Sequence, residues 1–130
     1  MAVKTDITNI HHIKILVDSF YQQVQQDELL GPIFLGAIKD WPHHLDKMYR
    51  FWQTVLLDEH TYAGSPFPPH ANMPINETHF NRWLQLFHAA VDELFTGKTA
   101  DEAKWRSGKM AAMFQHKIAF YRGTNMYPLQ

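Results

Sequence analysis

The chain has 130 residues, no cysteine and a formal net charge of −1 with histidine neutral, a length that suits one domain over 1–130 with a real core of its own. Without cysteine there are no disulfides, thiolate metal sites, iron–sulfur clusters or thiolate-bound haem. Scattered Lys and Arg argue against nucleic-acid binding, no apolar run nears the ~20 residues of a membrane span, and the opening residues lack the apolar core of a signal peptide, so the expected protein is soluble and cytoplasmic.

Ile13, Leu16, Val17, Phe20, Tyr21 and Val24 recur at the i, i+3, i+4, i+7 spacing of an amphipathic helix, with Asn9 as its N-cap. Gly31-Pro32 breaks that pattern, and Ile33-Phe34-Leu35 reads as a short apolar knot behind it. A second helix is expected from Trp41-Pro42, capped by Asp40, because proline at the first helical position gives up only an N–H that would be unpaired there. Its stripe is Trp41, Leu45, Met48, Trp52 and Val55, fading after Leu57.

From Asp58 to Pro74 the chain holds Gly64, Pro66, Pro68, Pro69 and Pro74, which rule against long regular structure. Long irregular segments in small domains are usually functional or disordered, and the same stretch carries Tyr62, Phe67, His70 and Met73, whose aromatics argue for order. A third long helix is predicted from the N-cap Asn76, with Ile75 stapled on Phe80. Phe80, Trp83, Leu84, Phe87, Val91, Leu94 and Phe95 form its stripe, and Gly97 is expected to end it in the left-handed conformation. The last helix should open with a Thr99–Glu102 capping box, turn Ala103, Met110, Phe114, Ile118 and Tyr121 inward, and stop at Gly123. Four long helices and one proline-rich segment make an all-α fold.

Nine histidines and 14% aromatics suit a large flat apolar ligand that also needs a nitrogen donor, and equally suit an aromatic core with exposed histidines. His11, His12, His60 and His116 read as surface positions, His79 falls in the first turn of the third helix, and His88, beside Phe87, reads as partly buried. No His-Glu-x-x-His occurs, so a zinc hydrolase is a weak reading. His44 shares an apolar helix face with Met48 and Trp52. His70 follows Pro68-Pro69, which stiffen its backbone, between the apolar walls Phe67 and Met73. An axial iron ligand needs an imidazole held in one orientation; spacing alone leaves that role and an ordinary loop histidine both open. Tyr21 and Trp83 sit on core-facing stripes, and their polar tips need partners.

Taken in order, these pieces resemble a truncated haemoglobin, specifically of group III. Phe20-Tyr21 followed by Leu30-Gly31-Pro32-Ile33-Phe34 is similar to one family signature; Trp41, His44 and Phe51-Trp52 resemble its distal helix. Tyr62 to His70 resembles the irregular segment ending in the proximal histidine, and Ile75 with His79 to Leu84 the helix bearing a distal tryptophan. The group II pattern has no histidine at the place of His44, which favours group III.

The resemblance covers about residues 10 to 122. It implies a two-over-two helical sandwich around haem b, with His70 as proximal ligand. It places Tyr21, His44 and Trp83 around the distal ligand, and Phe34, Met48, Trp52 and Phe67 with them against the haem. Ligands would be O₂, NO and CO, with a reductase as partner and a monomeric chain. Three polar distal groups favour redox chemistry on a held ligand, such as NO dioxygenation or peroxide activation, over O₂ transport, because donors aimed at developing negative charge slow its escape. Whether His44 ligates the iron or gates its access stays open. Lys47 and Arg50 are candidates for the haem propionates. The rivals are an O₂ storage or sensing globin, a non-catalytic helical interaction domain, and a non-haem histidine metal site.

Overall fold

The computed structural model describes residues 3–64 and 73–126, with side chains as far as Phe120. Five helices follow one another: α1 (Ile10–Gln26), α2 (Gly31–Ala37), α3 (Trp41–Leu57), α4 (Glu77–Leu94) and α5 (Lys98–Met126). α1 packs on α3, α4 packs on α5, and α1 crosses α4, which sets one helix pair over the other. The result is the expected all-α two-over-two sandwich.

The caps of three helices follow from local sequence. Asn9 Oδ1 accepts from the His12 N–H, Asp40 Oδ1 from the His43 N–H, and Asn76 Oδ1 from the Thr78 N–H. Each carboxamide or carboxylate satisfies a donor that the first helical turn leaves unpaired. α1 buries the six apolar residues of its stripe, and Ile75 and Phe80 belong to one apolar cluster, as a hydrophobic staple requires.

Four expectations are corrected. Ile33-Phe34-Leu35 is not an irregular knot but the middle of α2. Pro32 lies in its first turn, where a missing N–H costs nothing. Gly31 lets α2 start hard against α1: a Cβ there would sit 2.9 Å from the Gln25 carbonyl oxygen. The Asp27 carboxylate holds the turn by accepting from the N–H groups of Leu29 and Leu30.

Gly97 does not end the third long helix. That helix stops at Leu94, and Phe95 turns extended to pair with Thr5. Gly97 has positive φ (+139) for a different reason: it faces Asp6, whose Cγ a Cβ would approach to 2.5 Å. Nor does Thr99 cap the last helix, since helical geometry already begins at Lys98. Asp6, 93 residues away in sequence, accepts from the Thr99 N–H at 2.9 Å and the Ala100 N–H at 2.8 Å. Partial burial pushes that carboxyl up, but the N–H groups of Thr99, Ile7 and Ala100 outweigh burial and hold it below the usual range. The backbone of α5 also runs past Gly123 to Met126.

A second long-range tie joins the two halves. Arg82 on α4 donates from Nε at 2.7 Å and Nη2 at 2.6 Å to Asp27 Oδ1. The Asp27 side chain is 5% exposed and that of Arg82 40%. This pair fixes the α1–α2 turn to the helix that carries Trp83.

Candidate functional site

A cavity of about 270 Å³ opens between the helix pairs. Its walls come from α1 (Phe20, Tyr21), α2 (Ile33, Phe34), α3 (His44, Met48, Trp52), α4 (Phe80, Trp83) and α5 (Met110, Phe114), among others. Every described member of the sequence-derived site set therefore reaches one cavity: Tyr21, Phe34, His44, Met48, Trp52 and Trp83. Phe67 and His70 lie outside the described residues.

Tyr21 is the hub of the polar side of this cavity. It is 8% exposed, and its ring meets that of His44 edge-on at 5.2 Å between centroids. Trp41 packs edge-on against both, at 5.8 Å from Tyr21 and 5.9 Å from His44. Phe34 closes a further edge of Tyr21 at 6.0 Å. Burial raises the Tyr21 phenol well above its ordinary value, so its O–H stays protonated and remains a donor across the physiological range.

Trp83 joins this wall through Phe20, which meets Tyr21 at 4.9 Å and Trp83 at 5.5 Å, both edge-on. Trp83 also stacks nearly parallel on Phe87 at 5.5 Å, and Phe87 stacks on Trp52 at 4.9 Å. Such packing fixes the indole plane, because offset stacks and edge contacts between rings have definite geometry. Three side chains with a polar tip are thus held on one aromatic scaffold.

Residues that the sequence reading left out of the site also line it, notably Phe51, Tyr62 and His79. Phe51 packs edge-on on Tyr62 at 5.4 Å, which brings the start of the proline-rich segment to the cavity. His79 is a capping residue as well as a wall: its Nδ1 accepts from the Asn76 N–H at 3.1 Å. The local signal was present in Asn76-x-x-His79, three residues apart as a capping box requires. Of the two cationic candidates, Lys47 lines the cavity. Arg50 instead pairs with Asp46 on the surface at 3.0 Å.

The donor set has a definite chemical character. Among the described residues no Asp or Glu lines the cavity, while Lys47, His44, His79, Tyr21, Tyr62 and Trp83 bring polar atoms to a mostly aromatic and aliphatic wall. Apolar walls with few convergent polar groups are typical of a cofactor site, and an acid-free rim with a lysine suits a flat apolar group bearing carboxylates. Haem b has that composition, and the residues present fit it. Among the described residues no cluster of three or more His, Cys, Asp or Glu could hold a bare metal ion, which leaves the histidine metal site without support there. No helix among them is long and apolar enough to cross a membrane.

Comparison with known proteins agrees. A family model for bacterial-like globins matches residues 6–119. The chain is 31% identical over 126 residues to a group 3 truncated haemoglobin of Campylobacter jejuni, covering 93% of this chain and 99% of the relative. The crystal structure of the group III truncated haemoglobin from Campylobacter jejuni superposes with a TM-score of 0.82, covering 89% of this chain and 95% of that one. A truncated haemoglobin from Tetrahymena pyriformis, in its Fe(III) form, matches with a TM-score of 0.67 at 21% identity, covering 81% of this chain and 89% of that one, and speaks for the fold alone. The chain belongs to the bacterial-like globin family, in its group III truncated haemoglobin branch.

Proposed function

We propose that this protein holds a small diatomic ligand long enough for redox chemistry on it, NO dioxygenation or peroxide activation, rather than shuttling O₂. As a member of its family it is a haem b protein for diatomic ligands. The observation that carries the finer reading is the cluster of Tyr21, His44 and Trp83 on one aromatic scaffold facing one cavity.

In this reading His70 would ligate the haem iron. Phe34, Met48, Trp52 and Phe67 pack the macrocycle, and Lys47 meets a propionate. Bound haem supplies the iron on which a diatomic ligand sits and is reduced or oxidised. The chain's own residues then set how long the ligand stays. Tyr21 donates its O–H, and Trp83 donates its indole N–H, having no acceptor atom of its own. His44 can donate or accept, and its ring contact with Tyr21 at the same cavity supports a part in holding the ligand or opening the route to it. The surrounding wall is mostly aromatic and aliphatic, and a low local dielectric strengthens each of these hydrogen bonds. The chain works as one cytoplasmic domain with a separate protein supplying reducing equivalents.

A neutral hydrogen bond contributes about 1 kcal/mol net, and more in a dry site. Since about 1.4 kcal/mol is a factor of ten, loss of the Tyr21 donor should speed ligand escape by about tenfold. The test is the O₂ dissociation rate of the ferrous protein by stopped flow. The reading expects slow release in the native chain and about tenfold faster release in Tyr21→Phe, with Trp83→Phe also faster. Fast native release, unchanged in both variants, would overturn it.

A further inference from the structure

The last helix carries two apolar faces. Ala103, Ser107, Ala111, Phe114 and Ile118 are buried on one of them. At 3.6 residues per turn, Trp105, Lys109, Met113 and His116 fall on the opposite side. Trp105 is 57% and Met113 45% exposed, and Lys109 and His116 are exposed with them. A large aromatic on the outer face of a helix already packed on its inner face is not explained by this fold.

Charge distinguishes this end of the chain from the rest of the sequence. Residues 103–130 hold Lys104, Arg106, Lys109, Lys117 and Arg122 and no Asp or Glu, leaving seven Lys and Arg against all 13 Asp and Glu in the first 102 residues. Lys109 Nζ stands 4.7 Å and the Arg106 guanidinium 5.5 Å from the Trp105 ring centroid. Both cations lie near the aromatic, and Arg106 Nε also pairs with Glu102 Oε1 of the same face at 3.3 Å. Among the described residues no carboxylate pairs with Lys109.

We propose that the outer face of α5 around Trp105 docks an acidic electron-carrier protein; the identity of that partner rests on the redox reading above. Trp, Met and Arg are the residues enriched in protein interfaces and their hot spots, and a positive rim steers an acidic partner onto them. A lipid surface suits the face less well. Lys109 and His116 lie within the apolar stripe, whereas a membrane-surface helix keeps its charges on the opposite side. A second copy would bring the same cations face to face across a two-fold axis. The position also suits the task, because Met110, Ala111 and Phe114 on the inner side of α5 line the cavity, about one helix diameter, ~10 Å, away. With haem bound, the transfer would move one electron from the carrier to the haem, leaving the carrier oxidised and the haem reduced by one electron, with no bond formed or broken.

The test uses the ferric holoprotein, mixed in stopped flow with a reduced acidic plant-type [2Fe–2S] ferredoxin as probe. The second-order rate should fall as ionic strength rises from about 0.01 M to about 0.5 M. At low salt Arg106→Glu/Lys109→Glu should slow it by about tenfold, Trp105→Ala should slow it at all salts, and dithionite should reduce every variant alike. Lys14→Glu/Lys39→Glu, which changes net charge equally on other surfaces, should stay within about twofold of the native rate. Equal slowing by that control pair, or no salt dependence, would overturn the proposal. So would binding to phosphatidylglycerol vesicles or duplex DNA lost in the α5 variants, or a dimer in sedimentation lost in Trp105→Ala. If NO turnover is absent while ferredoxin reduction keeps its dependence on α5, the docking face stands and the redox reading falls; the reverse result separates them the other way.

Discussion

Removing Asp27 should loosen the whole distal side of the molecule. In Asp27→Ala the Arg82 guanidinium loses both hydrogen bonds to Oδ1, and the N–H groups of Leu29 and Leu30 lose their acceptor. Breaking a buried ion pair by deleting one partner costs about 3–5 kcal/mol, and each hydrogen bond lost from the Leu29 and Leu30 N–H groups about 1 kcal/mol. Because Arg82 is 40% exposed and can turn to water, the loss should fall near the lower end, about 3 kcal/mol. At about 3 °C per kcal/mol for a chain of this size, that is a Tm lowered by about 10 °C. Arg82→Ala should cost more at neutral pH, since it strands the carboxylate that is 5% exposed.

The pH dependence has a definite sign. Burial raises the Asp27 carboxyl, but the hydrogen bond from Arg82, the Leu30 and Leu29 N–H groups and the Arg82 charge outweigh burial and lower it on balance. A carboxyl lowered by folding contributes stability that is present above its unfolded value, about 3.9, and lost as pH falls through its folded value. Native protein should therefore weaken below about pH 4, and Asp27→Ala should lack that part of the acid limb. Urea unfolding of haem-saturated protein at pH 7 and along an acid series measures both, with haem concentration held fixed because ligand binding shifts apparent stability. A loss under about 1 kcal/mol in Asp27→Ala, or an unchanged acid limb, would refute the reasoning.

Two further changes follow from the same geometry. Gly97→Ala forces a Cβ to within 2.5 Å of Asp6 Cγ at a φ of +139 and should cost about 2–3 kcal/mol; combined with Asp6→Ala it should lose less than the sum of the single changes, since both act on the α5 cap, as thermal unfolding of the three variants will show. Lys47→Ala should quicken haem transfer to an acceptor apoglobin several-fold, because Lys47 lines the cavity, while Arg50→Ala, which only breaks a surface pair with Asp46, should leave the transfer rate unchanged.

Much of this arrangement was legible in the chain, for reasons that differ by element. Long stripes with a local cap read correctly: α1 buries the six residues its spacing picks out, and Asn9, Asp40 and Asn76 each cap as expected. The misreadings fall where a contact distant in sequence decides the outcome. α2 is seven residues long and opens with Gly-Pro, so local reading finds a breaker, whereas the Asp27 carboxylate and the close approach to α1 make it a helix start. The cap of α5 comes from Asp6, and no window around Thr99 contains that information. Gly97 has the positive φ expected of it, but to admit Asp6 rather than to end α4. In the site, the residues with polar tips on apolar stripes, Tyr21, His44 and Trp83, stood out, while Tyr62 and His79 were hidden by ordinary loop and capping roles.

The central claim is that this cavity holds haem b with His70 on its iron. Haem added to the purified chain, followed by gel filtration and an absorbance spectrum with and without CO, tests it most directly. The account predicts a Soret band that elutes with the native chain and with His44→Ala, shifts with CO, and collapses in His70→Ala. No band with the native chain, or a full band retained in His70→Ala, would contradict it.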